Sequence, residues 1–191
     1  MKLVLASSSP YRQKLLQQLQ LQFEVISPEV DESALADETP VELVERLAIA
    51  KARAVAEICT DCLVIGSDQV AVHDNEIVGK PKNHEDAIRQ LQFASGKSIT
   101  LQTGLALINS NTNSVQSEVV PFTIHFRELT RNQIENYLAK DLPYNCAGSV
   151  KSESLGVALF ERFDGDDPNA LIGLPLIRLV RMLENEDYPV I

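Results

Sequence analysis

The chain has 191 residues, with 17 Lys and Arg against 27 Asp and Glu, a formal net charge of −10 and 45% hydrophobic residues. That apolar content excludes a disordered chain, and the length suits one domain, or one domain with a lobed cleft, around a buried core. The acidic balance speaks against a nucleic-acid binder, since duplex affinity comes mostly from Lys and Arg displacing counterions. It looks equally unfavourable for a small polyanion such as a nucleotide.

Met1-Lys2 is followed by an apolar run of only Leu3–Ala6, shorter than the ~7–15 residues of a signal-peptide core. No run approaches the ~18–20 apolar residues of a membrane span. Three cysteines, an odd number, do not suggest a secreted disulfide framework. The expected location is the cytoplasm, away from membranes.

Strand-like and helix-like segments alternate along the chain. Lys2–Ala6 reads as a short strand, followed by Ser7-Ser8-Ser9-Pro10 and a helix over Tyr11–Leu19 with Leu15, Leu16 and Leu19 at helical spacing. Phe23–Ser27 alternates as a strand. The stretch from Glu24 to Glu45, both included, contains eight acidic residues and no Lys or Arg. Thr39-Pro40-Val41-Glu42 is a capping box that opens a helix to about Glu57, with Leu43, Leu47, Ala50 and Ala54 on one face. Cys62–Ser67 reads as a buried strand ending at Asp68. Gln69–Val72 and Glu76–Val78 flank a hairpin signal at Asp74-Asn75. Asn83 caps a helix to about Ala94, with Gly96 beyond its end, and Ser98–Asn109 and Ser114–Phe126 are two long strands around a polar turn. Thr130 and Gln133 form a second capping box for a helix to about Lys140. Leu155–Phe163 is strand-like, Asp164–Gly173 a loop and Leu174–Asn185 a final amphipathic helix. The pattern predicts an α/β fold in a single domain, with a mixed sheet because hairpins coexist with crossovers.

No P-loop, dinucleotide fingerprint, nucleophile elbow or zincin motif occurs, so any chemistry must rest on side chains delivered at strand ends. Cys59-x-x-Cys62 falls where a helix ends, not where one opens, and its structural reading outweighs a redox or zinc one. Ser7 to Arg12 is either a Ser-rich turn with a helix cap or an anion-binding arrangement of free N–H groups, hydroxyls and an Arg. Asp68 is either a strand-terminating residue or a general base or metal ligand. Lys80 in Gly79-Lys80-Pro81, Lys51 and Arg53 on the capped helix, and Asp31-Glu32 in the acidic loop each have a plain solvated reading, against which Asp31-Glu32 could bind Mg²⁺. Each signal is weak alone; their order is not.

That order is Ser7-Ser8-Ser9-Pro10-Tyr11-Arg12, Asp31-Glu32, Ala48 to Lys51, Ser67-Asp68-Gln69 and Gly79-Lys80-Pro81. It continues through Ser95-Gly96, Thr103-Gly104, Ala147-Gly148-Ser149 and Gly173-Leu174-Pro175-Leu176. It resembles the Maf family of nucleotide pyrophosphatases over nearly the whole chain. Ser67-Asp68-Gln69 and Gly148 to Glu153 are similar to the YceF-type branch, the 7-methyl-GTP pyrophosphatases. The resemblance implies one Maf-like domain over residues 1–191, inosine-triphosphatase-like, with a mixed twisted sheet flanked by helices and two lobes around a cleft. It implies Asp68 as proton acceptor, with Tyr11, Gln69 and Glu153 as specificity positions. Ser8, Arg12, Lys51 and Lys80 would face phosphates, and Glu32 and Asp68 would hold a divalent cation, Mg²⁺ or Mn²⁺. Position 11 is Tyr where the branch often has Trp, and position 13 is Gln where a second Arg is common. The implied reaction is hydrolysis of 7-methyl-GTP to 7-methyl-GMP and pyrophosphate. The alternatives are the dTTP/UTP-type activity of the same family and a nucleotide-binding regulator of cell division. If an assembly forms, a twofold homodimer is the expected one.

Overall fold

A computed structural model describes residues 1–74 and 76–191. In chain order the elements are β1 (Lys2–Ala6), α1 (Pro10–Gln17), β2 (Phe23–Ile26), α2 (Pro40–Ala56), β3 (Cys62–His73) and β4 (Glu76–Val78). They continue as α3 (His84–Ala94), β5 (Ser98–Asn109), β6 (Val115–Phe126), α4 (Arg131–Asp141), β7 (Phe160–Asp164) and α5 (Leu176–Asn185). The strands order as β2-β1-β3-β5-β6-β7, with β4 paired to β3. β1 runs parallel to β2 and β3, while β3 with β4 and β6 with β7 are antiparallel. The expected mixed α/β sheet with flanking helices is the fold. Of the predicted hairpin signal, Asn75 lies outside the described residues; Ala71, Val72 and His73 pair with Val78, Ile77 and Glu76.

The chain resolves into two compact units. The first comprises Met1–Gln69, Gln102–Val120 and Asp167–Ile191, and the second Val70–Leu101 and Pro121–Asp166. In the first unit the period-two alternation of β1 divides its side chains between two cores. Leu3 and Leu5 join Leu15, Leu16, Leu63, Ile65, Leu179 and Leu183 on the α1 and α5 face. Val4 and Ala6 join Ala48, Ala52, Val55 and Val64 on the α2 face. Burial on both faces is what parallel neighbours on both sides require of β1. In the second unit, Thr130 and Gln133 close their capping box at the start of α4, and Ser95 Oγ accepts from Leu129 N at 2.7 Å beneath it.

The helix α2 sets the geometry of the first unit. Both capping-box hydrogen bonds between Thr39 and Glu42 form, with Pro40 in the first turn. Its inner stripe differs from the predicted one. Leu43, Val44, Leu47, Ala48, Lys51, Ala52 and Val55 are buried, whereas Ala50 and Ala54 are half-buried. Reading the stripe through Ala50 and Ala54 avoided placing Lys51 inside, and Lys51 is inside because carboxylates meet it there. Under this helix the backbones nearly touch. A Cβ on Gly66 would overlap the Ala48 carbonyl oxygen and lie 2.8 Å from Ala52 N, and one on Gly104 would overlap the Val44 carbonyl.

Three further boundaries differ from expectation. β3 does not end at Ser67 but continues to His73, so Asp68 sits within a strand and not at its end. Of Leu155–Leu159 only Gly156 and Leu159 are buried, a spacing of three that suits the 3-10 turn found there; the strand begins at Phe160. The predicted loop 164–173 contains a second 3-10 turn, Pro168–Ile172, capped by Asp167. Cys59 and Cys62 are joined by a disulfide across the α2–β3 turn, with Cα atoms 6.1 Å apart, a covalent link the cysteine count did not suggest; Cys146 is free.

The close approach at Gly66 makes a direct prediction. Gly66→Ala pushes α2 off β3 and lowers the unfolding free energy by about 1–3 kcal/mol, the usual penalty of overpacking. Urea denaturation measures it; an unchanged midpoint would contradict the tight contact.

Candidate active site

The buried stripe of α2 carries one charge into the first unit. Lys51 is 6% exposed, and its ammonium donates to Asp68 Oδ1 at 2.6 Å and lies 2.7 Å from Glu32 Oε1. Asp68 is itself 8% exposed, on β3 directly after Ser67. A buried ion pair stays charged only when its attraction and hydrogen bonds offset desolvation. Here two carboxylates flank one ammonium, so the cluster carries a net negative charge before other neighbours are considered. Lys51 is therefore not the surface residue that the plain reading of the helix allowed, while Arg53 is exposed.

Glu32 comes from the acidic loop, whose attachment is specific. Arg46 on α2 grips Glu38 through its Nε and through Nη2 at 2.8 Å, and the same Nη2 donates to the Ser33 carbonyl at 3.0 Å. Leu35 N donates to Glu38 Oε2 at 3.0 Å. The guanidinium fork, followed by that backbone donor, holds the Glu38 carboxyl down at about 2 from its ordinary 4.5. The fork thus fixes the segment that delivers Glu32 to Lys51.

The β1–α1 turn supplies the cationic side. Ser9 caps α1, accepting from Arg12 N at 3.4 Å, and Ser7 Oγ accepts from Ser9 N at 3.2 Å. Those two hydroxyls thus face the turn's own backbone, whereas Ser8 and Tyr11 are exposed. Arg12 reaches back to donate from Nε to the Gly173 carbonyl at 2.8 Å. Burial lowers its pKa from the ordinary arginine value, while the charges of Asp68 and Glu32 work in the opposite direction. Both carboxylates therefore lie within the field of Arg12, as well as against Lys51.

Gln69, next to Asp68, is fixed by the protein. Its Nε2 donates to the Ala170 carbonyl at 2.6 Å and to Thr103 Oγ1 at 2.8 Å, and Thr103 Oγ1 donates to the same carbonyl at 2.9 Å. A carbonyl oxygen only accepts, so the amide nitrogen must face it. Oε1 is left as the polar atom the side chain can offer elsewhere.

The second unit holds Lys80 and Glu153. Gly148 N donates to the Gly79 carbonyl at 3.2 Å, which ties the Gly79-Lys80-Pro81 turn to the Ala147–Ser149 turn. Ser149 Oγ donates to Gln90 Oε1 at 2.5 Å, and Lys151 is held by Tyr137 Oη and the Asp141 carbonyl. Lys80 and Glu153 are both exposed. Burial raises the Cys146 thiol pKa, and among the charges acting on it Glu153 raises it and Lys80 lowers it. Both predicted residues thus act electrostatically on Cys146.

Among the described residues, no three or more His, Cys, Asp and Glu side chains converge in a way that could hold a metal ion. Glu32 and Asp68 are the carboxylate pair that shares one cationic group. No helix of the described residues is long and apolar enough to cross a membrane.

The family model of the Maf-like proteins matches residues 2–186. The chain belongs to the Maf family. It is 54% identical over 189 residues to the 7-methyl-GTP pyrophosphatase of Nitrosococcus oceani, an alignment covering 99% of this chain and 95% of that protein. It is 52% identical over 189 residues to the 7-methyl-GTP pyrophosphatase of Methylobacillus flagellatus, covering 99% and 98%. Among solved structures it is similar to the Staphylococcus aureus Ham1 protein, with a TM-score of 0.45 and 17% identity over 69% of this chain and 73% of that one.

In this Maf protein the first unit brings together Arg12, Glu32, Lys51 and Asp68, with Gln69 beside Asp68. The sequence reading did not single out Arg46, Glu38, Ser67, Thr103 or the Gly173 carbonyl as parts of the site. Ser67, Thr103 and Gly173 stood in the motifs that carry the resemblance, but a carbonyl acceptor has no sequence signature. Arg46 had one signal: it is the first cation after the acidic run.

The ion cluster and the anchor of the acidic loop each make a prediction. Lys51→Met leaves Asp68 buried without its cation and destabilises the fold by about 3–5 kcal/mol. Glu32→Gln, whose own side chain is 61% exposed, changes stability by about 1 kcal/mol or less. Chemical denaturation of both variants separates them, and equal effects would overturn the primacy of the buried pair. The second prediction concerns pH. Because Glu38 is held at about 2 against an ordinary 4.5, its stabilisation is full above about 4.5 and disappears as pH falls through about 2. The protection of the amides of residues 33–38, measured against their intrinsic exchange at each pH, is expected to fall across that window. Arg46→Ala should show the low protection already at neutral pH.

Proposed function

We propose that this protein is a nucleoside triphosphate pyrophosphatase that hydrolyses 7-methyl-GTP to 7-methyl-GMP and pyrophosphate, removing a modified nucleotide, through one Maf-like domain spanning residues 1–191. The observation that carries the reading is the 52–54% identity, over 99% of the chain, to two proteins named for that activity. The cluster of Glu32, Lys51 and Asp68, in the field of Arg12, supports it.

In this reaction the oxygen of water bonds to the α-phosphorus while the α–β anhydride bond breaks, and pyrophosphate leaves. The protein must provide a proton acceptor and stabilise charge on the phosphates. Asp68 is the acceptor in our reading. Lys51 engages its Oδ1, and Oδ2 accepts no protein hydrogen bond among the described residues. That oxygen is free to take the water's proton. Lys51 holds the carboxylate in place and adds positive charge. Arg12 offers its terminal nitrogens for paired contacts to phosphate, and the Ser8 hydroxyl adds a donor. Lys80, on the second unit, takes its phosphate role from the family resemblance.

Glu32 and Asp68 would hold a divalent cation, Mg²⁺ or Mn²⁺. Magnesium is usually bound by one or two carboxylates together with substrate phosphates and water, and this pair already accommodates a cationic group. Bound there, the ion would neutralise phosphate charge.

The methylated base carries positive charge on its ring. Tyr11, 43% exposed, offers an aromatic face that favours such a cation by roughly 0.5–2 kcal/mol. Gln69 offers an acceptor through Oε1, and Glu153 a carboxylate, both suited to the N–H edge of guanine. We propose the cytoplasm as the compartment and a twofold homodimer as any assembly.

The test is a panel of 7-methyl-GTP, GTP, dTTP and UTP at equal concentration, followed by pyrophosphate release. 7-Methyl-GTP should give the highest kcat/KM, and Asp68→Asn should lower kcat by about 10²–10⁴-fold while binding persists. Preference for dTTP or UTP would replace the substrate, and binding without turnover of any nucleotide would favour the regulator.

A further inference from the structure

We propose that Asp167 is a positioning residue for Arg12, acting through the main-chain carbonyl of Gly173. The proposal rests on the reading of Arg12 as a phosphate-binding residue.

Asp167 is 1% exposed and forms no ion pair among the described residues. A buried carboxylate without a cation persists only where several donors satisfy it. Three do. Oδ1 accepts from Asn169 N at 3.0 Å and Asn169 Nδ2 at 3.1 Å, and Oδ2 accepts from Ile177 N at 2.7 Å. The first bond caps the turn Pro168–Ile172, and the second ties the Asn169 side chain to the same oxygen. The third reaches the second residue of α5, whose preceding residue, Pro175, makes no side-chain cap bond. Asp167 thus does for α5 what an N-cap residue would, with charge favourable to the helix dipole. One carboxylate fastens both ends of the segment from 168 to 177.

Within that segment, two carbonyls are the fixed points for the residues beside the cluster. Gly173 O accepts from Arg12 Nε at 2.8 Å and from Ser67 Oγ at 2.8 Å. Ala170 O accepts from Gln69 Nε2 and Thr103 Oγ1. Gly173 has φ of 110°, in the left-handed region, and a Cβ there would lie 3.4 Å from Arg12 Nε and 3.7 Å from Gln69 Oε1. The guanidinium is planar, so fixing Nε restricts the plane in which both terminal nitrogens lie. Neither terminal nitrogen donates to the protein among the described residues, which leaves the fork for a ligand. Loosening Asp167 frees the Gly173 carbonyl, and with it the orientation of that fork.

A double-mutant cycle of Asp167→Asn with Arg12→Ala distinguishes this role from general stabilisation. Two quantities are read: kcat and KM for 7-methyl-GTP, and the affinity for inorganic tripolyphosphate by calorimetry. Asp167→Asn should weaken tripolyphosphate binding, and raise KM, by about tenfold when Arg12 is present and by less than about twofold in the Arg12→Ala background. Equal factors in both backgrounds would overturn the proposal, since a purely structural effect is additive. If Asp167→Asn does not fold, Asn169→Ala removes one of the three donors and enters the same cycle with a smaller factor, where equality again overturns it. A wild-type protein that binds tripolyphosphate but hydrolyses no nucleoside triphosphate would defeat the proposed function while the cycle still reads Asp167. One that does neither defeats both.

Discussion

The ammonium of Lys51, buried between Asp68 and Glu32, is the interaction on which the rest of this site depends. A charge in that position is tolerated only if its partners arrive within hydrogen-bonding distance, and three separate features secure this. The capping box starts α2 at a defined residue, which sets the rotation of the helix. Gly66 and Gly104 let the helix backbone descend onto β3 and β5, which sets its height. The Arg46–Glu38 fork anchors the loop that carries Glu32. Each feature taken alone is ordinary helix capping, close packing or a partly buried ion pair. Together they place one ammonium against two carboxylates.

A hydrophobic stripe would fill the same volume at less risk, because burying charges in place of apolar atoms is often neutral or destabilising. A buried ammonium between two carboxylates is therefore weakly explained by stability alone, and our reading of the cluster as chemistry rests on the local charges. Net charge of −10 describes the solvent-facing average and keeps the argument against nucleic acid. A small ligand responds only to the groups around it. In the first unit those are Arg12 and Lys51 with Asp68 and Glu32, an arrangement with positive charge for phosphate and carboxylate oxygens for a proton or a cation. Part of the acidic excess is thereby gathered around two cationic side chains.

How much of this was readable beforehand depended on what kind of group did the work. Helix boundaries set by side-chain capping were legible, as at Thr39 and Glu42 and at Thr130 and Gln133, because the signal lies within four residues. Lys51 was legible as a residue but not in its environment: a helical stripe drawn from apolar residues excludes the one charged member, and only the distant partners Glu32 and Asp68 reveal that it belongs there. β3 was cut short at Asp68 for the same reason, since a carboxylate inside a strand looks like its end. The least legible parts were the carbonyls of Ala170 and Gly173, which every sequence supplies at every position and which acquire meaning only through the fold.

Those carbonyls also explain a division within the site. Arg12 and Gln69 are oriented by main-chain oxygens, acceptors that neither titrate nor change rotamer, whereas Lys51 is oriented by carboxylates. An arginine fork and an amide are directional readers, useful only if their planes are fixed, and a carbonyl lone pair on a clamped segment fixes a plane well. An ammonium is a rotatable point charge that needs compensation more than direction. The choice of acceptor thus follows the geometry of the donor. It also makes the segment from Asp167 to Ile177 as much a part of the site as the strand that carries Asp68, although its contribution is backbone, held from behind by a carboxylate that need touch no ligand.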